Sequence, residues 1–444
     1  MADWVVGLHA TDIPLPVRHC ATRFVIDTVG VAIAGSNTRV AQLAHRYADD
    51  PADARFSARA FGAAGRFAAK TAAFVNGVAA HALDFDDNCY AGFVHGSAVI
   101  VPAAFAVAQD LDASGASLVT ALIAGAECEY AVGAASRNVL YDKGWWTTGV
   151  LGPIGACAAA AHLLGLDVDQ TASALGLAVA GSGGMKSCFG SDGKALMAGR
   201  AAESGVVCAL LAAQGARGPH DAIESPNGFI PLVNGGEFDF PLLERLGSKW
   251  FLLEPGIDVK RVPVCLSSHA AVDAVMELVA QHAIGLDEIE RVVCDVPPIV
   301  CKNLAYGRPN TVQQAQFSMQ YAIAASLHFG ELGLQHLDLA LIQSDLLLSL
   351  MARVSMHTGP MWSDYGLRAT APEGASVTIC LRDGQALHAF RASAHGCAAH
   401  PLTEDQIDSK FMACVKPTMG EGPARELLTR LRGLDSDLSV RLML

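Results

Sequence analysis

The segment HALDFDDNCYAGFVHGSAVIVPAA, residues 81–104, places a group of titratable side chains between apolar, alanine-rich stretches. Two histidines and three aspartates form this group: His81, Asp84, Asp86, Asp87 and His95. Acids and imidazoles beside core-forming sequence cost free energy unless they are paired or put to use. Taken alone, the aspartates are as easily helix-end residues that face water. Their density beside apolar helices argues for a functional role instead.

The composition bounds the class of protein. Of the 444 residues, 52% are hydrophobic and 17% are charged, which is ample for a sizeable core. The net charge of −13 argues against a nucleic-acid surface and against adhesion to anionic membranes, although a few local cations can still hold a small anion. The first residues lack the features of a signal peptide, and the twelve cysteines include no C-x-x-C pair. We therefore expect a cytoplasmic protein without a disulfide framework or a zinc or iron–sulfur site.

The pattern as far as about Leu253 is typical of helices. PVRHCATRFVIDTVGVAIAG, residues 16–35, has apolar residues at helical spacing and a glycine at its end, and the alanine-rich residues 117–136 and 198–215 repeat this style. Residues 149–166 contain a proline, a histidine and many small residues, which indicates a buried helix rather than a bilayer span. Because small residues let helices approach closely, we expect a compact multi-helix domain.

The pattern changes after Lys260. IERVVCDVPPI, residues 289–299, is typical of a strand, and ASVTICLRDGQALHAFRASA, residues 375–394, predicts a hairpin around Asp-Gly. Thr403 and Gln406 form a capping-box signature for a final helix. The predicted fold is mainly α with an α+β part. A large all-helical domain is built from residues 1–260 and 399–444, and a smaller α+β lid domain, residues 261–398, is inserted near the C-terminus.

A second candidate segment is GSGGMKSCFGSDGKALMAGRAAESG, residues 181–205, which matches neither a Walker loop nor a dinucleotide-binding fingerprint. Its glycines permit close backbone approach, and Lys194 lies between the glycine-rich loop and an apolar helix. Near a helix N-terminus this lysine adds positive potential for an anion. The alternative is an exposed lysine in the first helical turn.

A third candidate segment, VKRVPVCLSSHAA, lies at the boundary between the two predicted domains, where clefts are common binding sites. It contains the adjacent cations Lys260 and Arg261. Ser267 and Ser268 occupy positions typical of helix N-caps, and the role of His269 is left open.

Four ordered segments, HALDFDD, GKALMAGRAAESG, KRVPVCLSSHAAVDA and FSMQYAIA, resemble the MmgE/PrpD family over essentially the whole chain. The resemblance implies a helical domain with an α+β lid, usually a homodimer, and no metal or organic cofactor. It also implies a cleft for a small di- or tricarboxylate. The active-site set that it carries over is Asp84, His95, Lys194, Lys260 and Tyr321. We expect Asp84, His95, Lys194 and Tyr321 to act in catalysis, and Asn88, Trp146, Lys260, Arg261 and His269 to bind substrate. Without the resemblance, Tyr321 would be interpreted as a core residue.

The chain departs from the family's lyases at positions that bear on the reaction. The dehydratase and decarboxylase members carry threonine where this chain has Asn88, and a His-Pro pair where it has His95-Gly96. Decarboxylase-like members have a histidine near GWWTTGVLG, where this chain has Trp145 and Trp146. A tryptophan donates a hydrogen bond but cannot transfer a proton.

Epimerisation needs only removal of a Cα proton and its return on the other face, so the loss of one histidine favours that reaction. We therefore expect a cofactor-independent epimerase of iminodisuccinate or a similar amino-dicarboxylate. The alternative enzyme is a lyase that resembles 2-methylcitrate dehydratase or cis-aconitate decarboxylase and acts on a small tricarboxylate. A third possibility is a non-catalytic carboxylate-binding protein, which the retained Lys194, Lys260, His95 and Tyr321 disfavour.

Overall fold

A computed structural model describes residues 1–48, 56–436 and 439–442. The fold is mainly helical with a small mixed sheet, which confirms the predicted fold class. The helices of the first part of the chain are α1 (Ala2–Gly7), α2 (Leu15–Gly35), α3 (Arg39–Ala48), α4 (Ala69–His81), α5 (Ser97–Leu111), α6 (Gly115–Ala135), α7 (Val139–Asp142), α8 (Thr147–Leu163), α9 (Val168–Ala180), α10 (Asp192–Ala213) and α11 (Phe229–Leu232).

A short antiparallel ladder that the sequence analysis did not predict interrupts these helices. It consists of β1, Ala58–Arg59, and β2, Arg66–Phe67.

Small residues set the spacing of the central helices, as the alanine-rich pattern predicts. A Cβ atom on Gly77 of α4 would lie 2.9 Å from the Cα of Gly199 in α10. A Cβ atom on Gly125 of α6 would lie 2.6 Å from the carbonyl oxygen of Gly155 in α8. Backbones this close leave no room for a side chain. The close packing holds the C-terminal end of α4 beside the start of α10, where the candidate residues lie.

The second part of the chain contains a four-stranded sheet in the order β4-β3-β5-β6. Its strands are β3 (Ile289–Asp295), β4 (Val354–His357), β5 (Ala375–Leu381) and β6 (Ala386–Arg391). β3 pairs with β4 in parallel and with β5 antiparallel, and β5 and β6 form an antiparallel hairpin. The turn of this hairpin contains Gly384 with φ +92°, a conformation that suits glycine. The predicted strand and hairpin are thus confirmed.

Helices flank the sheet and complete the chain. They are α12 (His269–His282), α13 (Pro298–Asn303), α14 (Val312–Ala315), α15 (Met319–Phe329), α16 (Leu339–Ile342), α17 (Asp345–Met351), α18 (Tyr365–Thr370), α19 (Glu404–Met419) and α20 (Glu421–Arg432). The predicted capping box of α19 is confirmed, because Gln406 N donates to Thr403 Oγ1 at 3.3 Å and Thr403 N donates to Gln406 Oε1 at 2.9 Å.

The buried apolar side chains form two separate cores. One contains residues between Val5 and Val259 together with residues of α19 and α20, which pack on α2. The other contains residues between Val262 and Leu387. The division into a domain of residues 1–260 with 399–444 and a lid of residues 261–398 stays a prediction.

Among the residues that the structure describes, two helices, α6 and α10, are long and apolar enough to cross a bilayer when judged by length and composition alone. Within α6, 94% of the most apolar stretch is buried inside the protein. Core helices pass the same test, so this observation is weak evidence for a membrane span.

Helix α6 buries two glutamates in unequal surroundings. Glu127 accepts hydrogen bonds from the backbone N–H groups of Phe251 and Leu252 at 2.7 and 3.0 Å, whereas both carboxylate oxygens of Glu129 lack a partner among the described residues. Burial raises the pKa of Glu129 to about 8, and the nearby Asp87 adds to the shift. Burial also raises the pKa of Glu127 to about 7. Each group therefore holds a proton in the fold that the unfolded chain releases at lower pH.

As pH rises from 5 to 8, the free energy of unfolding should fall less in the variant Glu129→Gln than in the parent protein. A group whose pKa is raised in the fold stabilises the protein below its unfolded pKa, and this contribution falls as pH rises towards the folded pKa, at up to about 1.4 kcal/mol per pH unit. Urea unfolding at pH 5, 6.5 and 8 measures the slope. The control Glu203→Gln should keep the slope of the parent protein. An unchanged slope in Glu129→Gln would contradict the assignment.

Candidate active site

The carboxylate of Asp84 lies between two buried lysines from distant parts of the chain. Lys194, in the first turn of α10, donates from Nζ to Asp84 Oδ1. Lys260 donates from Nζ to Asp84 Oδ2 at 3.1 Å and to the Asp84 carbonyl oxygen at 2.8 Å. Asp84 adopts a left-handed conformation, φ +48°, in the turn after α4. We call these three residues the lysine–aspartate triad.

The triad is charged although its members are almost completely buried. Burial alone would raise the pKa of Asp84, but Lys194 and Lys260 outweigh it and hold that pKa well below the usual range. Burial opposes the charge of Lys260, yet Asp84 raises the pKa of this lysine. Two ammonium groups around one carboxylate leave a net positive charge, which suits an anionic ligand.

Asp86 lies between two imidazoles next to the triad. Its Oδ2 is 2.7 Å from Nδ1 of His81 and 3.5 Å from Nδ1 of His95. Nδ1 of His95 also lies 2.7 Å from the carbonyl oxygen of Asp87. Because a carbonyl oxygen only accepts, Nδ1 of His95 carries the proton, and Nε2 of the neutral ring is free to accept one.

Of the two histidines, His95 is the one that a ligand can reach, since its side chain is 14% exposed and that of His81 is fully buried. Burial lowers the pKa of His95 well below its usual range, and Lys194 and Lys260 add to this effect. The imidazole is therefore neutral near pH 7. A neutral ring with a free Nε2 can act as a base.

Asp86 and Asp87 hold the loop through local hydrogen bonds. Ser97 Oγ donates to Asp87 Oδ1 at 2.7 Å, and the ring of His81 is fixed by Asp86. Lys410 of α19 supports the same loop, because its Nζ donates to the carbonyl oxygen of Phe85 at 2.9 Å.

Aromatic rings enclose the ammonium group of Lys194. Its Nζ lies 5.1 Å from the ring centroid of Phe189, 5.0 Å from that of Phe317 and 6.0 Å from that of Trp146. Trp146 is buried, and its ring is 5.4 Å from that of His81. The rings exclude water from the cation and favour its charge through their π faces.

A cavity of about 710 Å³ opens beside this aromatic enclosure. Phe93, Tyr141, Phe189 and Tyr306 are among its lining residues, together with several cations. Tyr306 OH donates to the carbonyl oxygen of Phe189 at 3.0 Å. Phe189 in turn contacts Lys194, so Tyr306 is linked to Lys194 through this one residue. The sequence analysis missed Tyr306, which stands alone in the segment LAYGRPN without a pattern that would single it out.

A chain of hydrogen bonds connects the two cores along the wall of this cavity. Tyr141 OH donates to Asn303 Oδ1 at 2.9 Å, and Asn303 Nδ2 donates to Ser267 Oγ at 3.0 Å. Ser267 Oγ and Tyr90 OH both donate to the carboxylate of Glu373. The predicted N-cap role of Ser267 is therefore wrong.

Ser268, the other serine of this pair, occupies the N-cap position of α12, but its side chain makes no cap hydrogen bond. Its Oγ donates instead to the carbonyl oxygen of Cys265 at 2.9 Å.

Two residues that were predicted for the site, Tyr321 and Arg261, are engaged elsewhere. Tyr321 OH donates to the carbonyl oxygen of His336 within the second core. Arg261 forms an ion pair with Asp273. Their roles in a reaction stay predictions, and their contacts are those of structural residues.

His269 and Asn88 complete the predicted set. Nε2 of His269 is 3.1 Å from the carbonyl oxygen of Val264, and burial lowers its pKa to about 3. Asn88 exchanges two backbone hydrogen bonds with Asp258 at 2.9 and 2.8 Å, and its side-chain nitrogen has no partner among the described residues. Of these two, Asn88 has the free donor that a ligand would need.

Within the part of the chain that the structure describes, the group that could offer ligand atoms to a metal ion is His81, Asp86 and His95, with one atom of each within 4.8 Å of the others. The nitrogen of His95 that faces Asp86 already donates to a carbonyl oxygen. To ligate a metal through Nδ1, His95 would have to lose that proton. In the arrangement described, Asp86 and the carbonyl oxygen of Asp87 orient the two imidazoles by hydrogen bonds.

Substitution Asp84→Asn should lower the free energy of unfolding by about 3–5 kcal/mol, because it leaves two buried ammonium groups without their carboxylate. Thermal and urea unfolding measure the change. The control Arg200→Gln removes the exposed pair with Glu203 and should change stability by less than about 1 kcal/mol. Equal effects of the two substitutions would contradict a charged, buried triad.

Comparison with known families matches both parts of the chain. The MmgE/PrpD N-terminal domain matches residues 1–241, and the MmgE/PrpD C-terminal domain matches residues 262–435. These matches confirm the resemblance that the four sequence segments predicted.

The chain is also similar to curated proteins over nearly its whole length. Cis-aconitate decarboxylase of Homo sapiens is 27% identical over 440 residues, which cover 96% of this chain and 89% of the relative. The cis-aconitate decarboxylase-like protein oryM of Aspergillus oryzae is 26% identical and covers 93% of this chain and 89% of its own length. The predicted epimerase is therefore wrong: these relatives are named as decarboxylases, which are lyases, and nothing in the matches points to an isomerase.

Proposed function

Because this chain belongs to the MmgE/PrpD family, we propose that it is a lyase of small tricarboxylates, with decarboxylation of a substrate such as cis-aconitate as the first candidate reaction. The observation that carries the proposal is the buried lysine–aspartate triad, Asp84 with Lys194 and Lys260. The names of the relatives support the same class of reaction.

The triad meets the main electrostatic need of decarboxylation. When the bond between a carbon atom and its carboxylate breaks, the electron pair stays on the carbon, and carbon dioxide leaves. A neighbouring carboxylate of the substrate spreads the negative charge, which the ammonium groups of Lys194 and Lys260 stabilise. Lys194 then gives a proton to the carbon and recovers one from solvent. Aromatic rings around Lys194 keep water from weakening these interactions.

His95 favours a second candidate, elimination of water from a hydroxylated tricarboxylate. Its neutral imidazole has Nε2 free, so it can remove a proton from carbon while Lys194 protonates the leaving hydroxyl group. Trp146 stands where decarboxylase-like members have a histidine, and this loss of a proton carrier affects decarboxylation most. Both candidates are lyase reactions that use the same triad.

Proton NMR with cis-aconitate, citrate and 2-methylcitrate as separate substrates tests the proposal. Decarboxylation should consume cis-aconitate and release carbon dioxide, whereas a hydro-lyase should form an alkene from a hydroxy acid without carbon dioxide. A strong chelator is present throughout, because the proposed chemistry uses no metal. Turnover of none of the three compounds by folded protein would contradict a tricarboxylate lyase.

Substitution Lys194→Arg should lower kcat by a factor of order 10²–10⁴, because arginine keeps the positive charge beside Asp84 but does not release a proton at neutral pH. Steady-state kinetics on the compound that is turned over measure the effect. The control Lys70→Arg changes an exposed lysine of α4 and should leave kcat unaltered. If kcat of Lys194→Arg stayed within about threefold of the parent value, Lys194 would act through its charge alone.

A further inference from the structure

The lining of the cavity next to the triad contains more cationic than acidic side chains. Lys186, Lys302 and Arg368 line it, and no ion pair joins any of them to a carboxylate among the described residues. Asp142 is the acidic residue of the lining. The fourth cation of the lining, Arg137, is paired with Asp239 at 3.1 Å. Three cations thus line the cavity without an ion pair among the described residues, although the nearby charge of Asp142 favours the charged form of Lys186.

Two of these cations have features that point to a ligand. Nζ of Lys186 lies 2.9 Å from the ring centroid of Tyr141, and burial lowers the pKa of this lysine to about 7, with Lys302 adding to the shift. Nε of Arg368 is buried and has no hydrogen-bond acceptor among the described residues. A buried donor without an acceptor destabilises a protein, so an anion that reached it would gain a prepared partner.

The cavity leads towards the triad. Phe189 is one of the residues that line the cavity, and its ring centroid lies 5.1 Å from Nζ of Lys194. The cavity and the aromatic enclosure of Lys194 thus share the ring of Phe189.

We propose that Lys186, with Lys302 and Arg368, binds a carboxylate of the substrate that does not react. The assignment rests on the proposed function and deepens it, because it predicts a preference for a substrate with three carboxylates. A dicarboxylate would leave Lys186, Lys302 and Arg368 without an anionic partner. A tricarboxylate would place a carboxylate both at these cations and at the triad. Lys186 is thus a specificity-determining residue.

Isothermal titration calorimetry with two inert compounds tests the proposal without turnover. Propane-1,2,3-tricarboxylate and glutarate share a five-carbon diacid chain and differ by the third carboxylate. The parent protein should bind the tricarboxylate at least tenfold more tightly. Substitution Lys186→Met should remove most of that preference and change the affinity for glutarate by less than about twofold, because it removes one cation from the subsite.

Two further variants make the test specific. Lys302→Met should also reduce the preference, and it keeps the subsite testable if Lys186→Met does not fold. The control Lys143→Met changes an exposed lysine outside the lining and should keep the preference of the parent protein.

The outcomes separate the subsite from the reaction. Equal affinities of the parent protein for the two compounds, or a full preference retained in Lys186→Met and Lys302→Met, would overturn the subsite. Loss of the preference in these variants supports it. If the preference is lost in them while the parent protein turns over no tricarboxylate, the subsite stands and the proposed lyase function fails.

Discussion

The site depends on one buried interaction, the carboxylate of Asp84 held between the ammonium groups of Lys194 and Lys260. Removing three charged groups from water is costly, and the arrangement persists only because hydrogen bonds join them. The glycines that let α4 and α10 touch bring Asp84 and Lys194 together. Lys260 arrives from the boundary between the two cores, so the triad also ties these cores to each other.

The chemistry that we propose follows from the net positive charge of the triad. Two ammonium groups and one carboxylate make a positive site that is shielded from water, where a developing negative charge is stabilised without reorganisation of solvent. Next to the triad, Asp86 and the carbonyl oxygen of Asp87 favour the tautomer of His95 that is protonated on Nδ1. Nε2 of this ring can then act as a base. An acid and a base next to a cationic site are what a lyase of polycarboxylates requires.

Local pattern predicted much of the fold, since helical spacing, the turn at Gly384 and the capping box of α19 each lie within a short segment. Local pattern also marked Asp84, His95, Lys194 and Lys260 as candidates. Their assignment to one site came from the resemblance to a family, because their meeting depends on contacts between distant segments.

Long-range contacts also explain what the sequence alone could not reveal. Arg261, which was predicted to bind a carboxylate, forms an ion pair with Asp273, and nothing local marks Tyr306 or Lys186 as cavity residues. The predicted epimerase gave too much weight to the loss of a histidine at Trp146, although the lysines and His95 that serve a lyase are present.

The most direct test of the central claim is a double-mutant cycle on kcat/KM for the tricarboxylate that is turned over, with Asp84→Asn, Lys194→Met and the double variant. If Asp84 and Lys194 act as one unit, each single substitution should cost nearly as much as both together. The coupling free energy should then exceed about 2 kcal/mol. Additive effects, with a coupling below about 0.5 kcal/mol, would contradict the triad as the organising feature of the site.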